Sequence, residues 1–127
     1  MEIRMDTYWG YHLMLDCDNC DIKKMTDKNN IKLFIKELVG AINMVAVGEP
    51  WIEETAIGIP EKEGFSMYQL IVTSNISAHF VNLPKQIYLD VFSCKEFNKQ
   101  FVIEVVSKFF NPTSINQNFI IRNAANV

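Results

Sequence analysis

The 127 residues carry 49% hydrophobic side chains and a net charge of −3, the balance of one globular domain, 1–127, with a single core. No apolar run approaches the roughly 18 residues of a membrane helix, and lysines and arginines are scattered among acids, which argues against a membrane span and against nucleic acid as a partner. The segment Met1-Glu2-Ile3-Arg4-Met5-Asp6 mixes both charges and lacks the apolar stretch of a signal peptide, so a cytoplasmic location is expected.

In chain order, Tyr8 to Cys17 alternates as a strand, with Tyr11, Leu13 and Leu15 on one face and His12, Met14 and Asp16 on the other. Asp18 to Asn30 reads as a polar, turn-rich loop. Ile31, Phe34, Ile35, Leu38, Ala41, Ile42 and Val45 fall at helical spacing and predict an amphipathic helix over 31–45, followed by a short strand through Val45 and Val47. Gly48 to Gly64, rich in glycine, proline and glutamate, reads as an exposed connection with a brief strand at Thr55 to Ile59.

Three strands follow, Phe65 to Val72, Ile76 to Val81 and Gln86 to Phe92. Ser93-Cys94-Lys95-Glu96 has the Ser-x-x-Glu form of a capping box at the start of a second helix. That helix carries Phe97, Phe101, Val102, Val105, Val106, Phe109 and Phe110 on its apolar face, and Asn111-Pro112 ends it. Ile115 to Arg122 adds a last strand. The sum is a two-layer α/β sandwich, an antiparallel sheet with two helices packed on one face and the other face open to a partner or ligand.

Few residues can carry chemistry, since the chain has two histidines and three cysteines. Cys17-Asp18-Asn19-Cys20 has C-x-x-C spacing but no second pair to complete a zinc site, and reads as a strand end entering a turn. No metal site is expected. Ser74, His79 and Cys94 bring a hydroxyl, an imidazole and a thiol into one β-rich stretch. Singly each is ordinary: a turn serine, a hydrogen-bonded strand histidine, a small buried thiol. With Ser93 as N-cap, Cys94 falls in the first helical turn, where the dipole favours thiolate. No G-x-S-x-G elbow surrounds Ser74 to suggest acyl transfer.

Their spacing is more specific. Gly10-Tyr11-His12-Leu13 leads to Cys20-Asp21; Gly64-Phe65-Ser66 leads to Ser74; His79 lies five residues after Ser74; and Asp90-Val91-Phe92-Ser93-Cys94 closes a strand. In these four motifs, across roughly residues 8 to 110, the chain resembles the short prokaryotic S-adenosylmethionine decarboxylases, a family made as pyruvoyl proenzymes. The resemblance implies that the Ser74 hydroxyl attacks the Thr73 carbonyl and exchanges peptide for ester. His79, assisted by Ser66, supports that shift and the elimination that follows. A β fragment, 1–73, then separates from an α fragment, 74–127, which begins with a pyruvoyl group derived from Ser74. That group forms a Schiff base with the substrate amine, and Cys94 donates the proton after carbon dioxide leaves. In the family two protomers pair as a homodimer, with the sites near their interface.

Departures from the family pattern bear on substrate. Thr73 stands where an acidic residue is usual, and Asn75 where histidine is common. Val81 and Leu83 fall in the run that normally ends in a ribose-binding glutamate. The loop from Val47 to Gly64 is longer than usual, and Trp51 is the candidate stacking aromatic within it. Four functions are therefore open. The first is an S-adenosylmethionine decarboxylase of polyamine (spermidine) synthesis. The second is a diverged ornithine or arginine decarboxylase, and the third an unprocessed, non-catalytic homologue that binds a metabolite or a partner subunit. The fourth, which the order of strands and helices alone would allow, is a ferredoxin-like binding module unrelated to the family.

Overall fold

The computed structural model describes residues 8–125, so the N-terminal segment Met1 to Asp6 lies outside it. Strand β1 (Gly10–Asp18) is followed by a single helical turn α1 (Ile22–Met25) and by α2 (Lys28–Ala41). Strands β2 (Trp51–Thr55), β3 (Gly64–Ile71), β4 (Ser74–Val81) and β5 (Gln86–Ser93) come next, then α3 (Lys99–Phe110) and β6 (Ser114–Arg122). The strands form one antiparallel sheet in the order β2-β3-β4-β5-β1-β6. The α+β sandwich with an antiparallel sheet is thus the observed architecture, with one short helix more than expected.

Alternation divides the sheet cleanly. Leu13, Leu15, Met67, Ile76, Ala78, Phe80, Leu89 and Val91 are buried, while the intervening residues stay partly or fully exposed. The helices supply the rest of the core through Phe34, Ile35 and Leu38 of α2 and Val102, Val106 and Phe110 of α3. One aromatic chain ties the layers. Phe80 of β4 sits 5.4 Å from Phe110 of α3, which sits 4.9 Å edge-on from Phe34 of α2.

Four local expectations are corrected. The 18–30 segment is not a loop: Asp21 caps α1 by accepting from the Lys23 amide at 3.0 Å, and Asp27 caps α2 by accepting from the Asn29 amide at 2.9 Å. The polar positions between these caps conceal the apolar anchor Met25, which is fully buried. Helix α2 ends at Ala41, with Ile42 as its C-cap and Asn43 turning at φ 60°, so Val45 lies beyond it. The Val45–Val47 strand is only one β-bridge, Ala46 to Ile71, flanked by bonds from Val72 to Val45 and from Val47 to Leu70. The strand in the long connection is Trp51–Thr55 rather than Thr55–Ile59, because Ile52 alone there reaches the core.

Gly64 opens β3 against the backbone of β4, and a Cβ there would stand 1.5 Å from the Phe80 carbonyl oxygen. Gly64→Ala is therefore expected to lower stability by about 2–3 kcal/mol, read as a fall in the urea midpoint with the slope unchanged.

Candidate active site

Two groupings of polar side chains emerge, one on each side of the sheet. The first surrounds the tight turn Val72-Thr73 between β3 and β4. The Val72 amide donates to the Val45 carbonyl at 2.9 Å, and the Cys94 amide donates to the Thr73 carbonyl at 2.9 Å. The Thr73 hydroxyl accepts from the Ser93 hydroxyl at 2.8 Å and donates to the Met44 sulfur at 3.3 Å. Ser74 follows with φ 149°, a conformation that only glycine adopts at ease. Among the described residues its hydroxyl makes no hydrogen bond. A serine hydroxyl at a strained φ thus adjoins a carbonyl that accepts from an amide.

Cys94 is exposed and directly follows β5, beside this turn. It does not occupy a helix N-terminus, because α3 starts at Lys99 with Asn98 as its cap. Ser93 is the last residue of β5, fully buried, and its oxygen accepts from the Lys95 amide at 2.9 Å. The Ser-x-x-Glu pattern is therefore a local turn, and the thiol owes nothing to a helix dipole.

The second grouping lies on the open face. Ser66 and His79 are direct cross-strand partners, joined from Oγ to Nδ1 at 2.8 Å. The other ring nitrogen, Nε2, is 2.7 Å from the Lys62 carbonyl oxygen, which can only accept. The neutral ring therefore carries its hydrogen on Nε2, and Nδ1 accepts from the Ser66 hydroxyl. Ser66 in turn accepts from the Thr55 hydroxyl at 2.6 Å. When Nδ1 takes up a proton the chain can reverse, from His79 to Ser66 to Thr55 and on to the Gly64 carbonyl at 3.3 Å. The relay can accept a proton and keep every member paired.

A cavity of about 580 Å³ opens beside this relay. Ser66, Ser77, Trp51, Tyr68 and Tyr88 line it, and its lining includes two carboxylates, Glu53 and Asp90, but no lysine or arginine. Asp90 also holds His12, Oδ1 to Nε2 at 2.9 Å.

The structure unites Ser74 with Thr73 and Cys94, and Ser66 with His79, but it does not unite the two sets. Five residues of strand separate Ser74 from His79, about 16 Å at 3.3 Å per residue. Ser74 pairs with Ser93 in the helix-facing row of the sheet, whereas His79 pairs with Ser66 and Tyr88 in the open row. Sequence reading missed the partners of both sets. Thr55 lay inside a misplaced strand, and Ser93 was disguised by its capping-box spacing. Met44 offered no signal beyond being the residue before Val45.

The cysteines near the far end of β1 are structural. Burial pushes the Cys17 thiol up to about 12, aided by Cys20 and Asp16, and the Cys20 thiol up to about 11, aided by Asp18. Among the described residues no group of three or more histidines, cysteines or carboxylates is arranged to hold a metal, and no helix is long and apolar enough to cross a membrane.

Against known proteins, the family model described as S-adenosylmethionine decarboxylase matches residues 11–123. No curated protein matches the sequence. Among solved structures, the adenosylmethionine decarboxylase from Aquifex aeolicus VF5 superposes with a TM-score of 0.79, over 94% of this chain and 95% of that one, at 18% identity. At that identity the likeness is one of fold.

Two outcomes follow for the thiols. A water-soluble thiol reagent at neutral pH should modify Cys94 alone in the folded protein and all three cysteines in denaturant, as counted by mass. Below pH 9 Cys17 and Cys20 stay protonated in both folded and unfolded chains. Above it only the unfolded chain readily ionises them, so stability should fall as pH rises from 9 toward 11–12. Each thiol adds a slope of up to about 1.4 kcal/mol per pH unit, and Cys17→Ala should show a shallower alkaline decline in melting temperature than the parent chain.

Proposed function

The chain belongs to the S-adenosylmethionine decarboxylase family, and on that footing we propose that it is a self-processing, pyruvoyl-dependent carboxy-lyase acting on S-adenosylmethionine in polyamine synthesis. The observation that carries this reading is the Thr73–Ser74 junction. A serine with a free hydroxyl sits at φ 149°, directly after a carbonyl that accepts from the Cys94 amide. That amide would stabilise the oxyanion formed when Ser74 Oγ attacks, in the way backbone donors serve acyl transfer generally.

In this reading the Ser74 oxygen bonds to the Thr73 carbonyl carbon, the carbon–nitrogen bond breaks, and the hydroxyl proton passes to the Ser74 nitrogen. Elimination at Ser74 would release the fragment 1–73 as a carboxylate and leave a dehydroalanine at residue 74, whose imine form takes up water and loses ammonia to give the terminal pyruvoyl group of 74–127. The residues present fit that group, since a serine at positive φ and an exposed thiol adjoin at one end of the sheet. Its carbonyl would supply the electron sink for decarboxylation. Cys94, an exposed thiol beside the same turn, would return the proton to the substrate carbon.

His79 cannot serve Ser74 within one protomer, because the two stand about 16 Å apart in opposite rows of the sheet. We therefore assign the Ser66–His79 relay to the Ser74 of a second copy, in a homodimer that sets the open sheet face of one protomer against the β3–β4 turn of the other. Exposed Trp51, Tyr68, Leu70 and Tyr88 give that face its apolar character. A second reading, decarboxylation of ornithine or arginine, draws on the cavity itself. Glu53, Asp90 and three aromatic rings suit an ammonium or guanidinium side chain, while Leu83, in place of a ribose-binding acid, is exposed on the β4–β5 turn.

Intact-mass spectrometry of purified protein tests processing, with fragments 1–73 and a blocked 74–127 as the expected products. A single full-length mass after prolonged incubation would count against every enzymatic reading. Ser74→Ala and His79→Ala should each stay intact alone. Co-expressed, they should yield cleavage of the His79→Ala chain only, whereas a relay acting within one protomer would leave both uncut. Cys94→Ala should still cleave but lose most carbon dioxide release. Labelled S-adenosylmethionine, ornithine and arginine then select the substrate.

A further inference from the structure

Thr73 is held by more contacts than a turn of its length requires. Its carbonyl, its hydroxyl and the amide of its neighbour Val72 are all engaged by different segments of the chain. The hydroxyl lies within an ordered run: the Lys95 amide donates to Ser93 Oγ at 2.9 Å, Ser93 Oγ donates to Thr73 Oγ1 at 2.8 Å, and Thr73 Oγ1 donates to Met44 Sδ at 3.3 Å. Such a run polarises along its length, and burial of Ser93 and Met44 shields it from water. The Lys95 ammonium closes the corner by donating to the Asn43 carbonyl at 2.6 Å. All of this converges on the residue before Ser74, whose φ of 149° persists only where its surroundings over-determine it.

We propose that Ser93 and Thr73 form a hydroxyl clasp that holds the Thr73–Ser74 peptide in its strained, cleavage-ready conformation, making both positioning residues for the peptide-to-ester shift. The clasp rests on the self-processing reading above. Neither hydroxyl joins the bonds that change. Ser74 Oγ gains the bond to the Thr73 carbonyl carbon, Ser74 nitrogen loses it and takes the hydroxyl proton. The clasp instead fixes the Thr73 carbonyl against the Cys94 amide and denies Ser74 a relaxed φ, so the ground state stands closer to the shift. Thr73 suits this task because its hydroxyl is short enough to lie between a buried serine and a buried methionine sulfur.

The test follows cleavage of freshly synthesised chain by intact mass over time. Thr73→Val keeps the shape and removes the hydroxyl; Ser93→Ala removes its partner; Thr73→Ser restores the donor and acceptor. Thr73→Val and Ser93→Ala should each slow cleavage roughly tenfold, and Thr73→Ser should cleave near the parent rate. The double variant should be no slower than either single one, as expected of two groups acting as a unit. Carbon dioxide release per cleaved chain should stay at the parent value, which a general structural loss would not allow. Should Ser93→Ala fail to unfold cooperatively, Thr73→Val and Thr73→Ser decide the matter alone. Parent-rate cleavage by Thr73→Val overturns the clasp and leaves self-processing standing. A parent chain that never cleaves overturns both.

Discussion

Burial on one side only governs this molecule. Six strands share a single sheet, and helices α2 and α3 cover one of its faces through the Phe34–Phe110–Phe80 contact. A strand exposes successive residues on opposite faces, so each position is committed either to the core or to the open side by its parity alone. Ile76, Ala78 and Phe80 go inward, and the row that includes Ser77 and His79 goes outward. The same rule acts on β3, where Met67, Gln69 and Ile71 are buried and Ser66 and Tyr68 meet the open face. Relay, cavity and aromatic walls lie together because they share one parity across four adjacent strands.

Where the sheet ends, different physics takes over. Helix α2 stops at Ala41 and the chain reverses at Asn43, which brings Met44 and Val45 against the β3–β4 turn. A non-glycine residue at φ 149° costs about 1–3 kcal/mol. The Val72–Val45 and Cys94–Thr73 backbone bonds and the Ser93–Thr73 hydroxyl bond contribute on the order of 1 kcal/mol each, before the weaker bond to sulfur. The two sums are of one size, so the strain at Ser74 can persist in a folded chain while remaining available to a reaction that relieves it.

Much of this was legible in the residues. Strands β1, β3, β4, β5 and β6 and the apolar faces of α2 and α3 follow from periods of two and 3.6, which burial enforces directly. The resemblance singled out Ser66, Ser74, His79 and Cys94 through spacing. Illegible were features set by partners distant in sequence. Ser93 bonds to Thr73 across 20 residues and Met44 to Thr73 across 29, and no local pattern encodes either contact. The capping-box reading of Ser93 failed for the same reason: a pairing with Tyr11 and Ser74 kept it in the sheet, and Asn98 took the cap. Asp21 and Asp27, by contrast, were readable caps obscured by the polar composition between them.

The spacing of five between Ser74 and His79 then acquires a physical meaning. An odd spacing along a regular strand assigns two residues to opposite faces, and five residues span about 16 Å, beyond any side-chain contact. Ser66, eight residues before Ser74, meets His79 by cross-strand pairing, so the relay is complete without the turn. The turn is likewise complete without the relay, since its contacts come from the segment after α2, from β5 and from the loop after β5. Each half is therefore free to vary by itself within one protomer. Departures at Thr73 are answered locally by Ser93 and Met44, and departures around the cavity leave the strained peptide untouched. A chain built this way can keep the strained Thr73–Ser74 turn while the open face of the sheet changes.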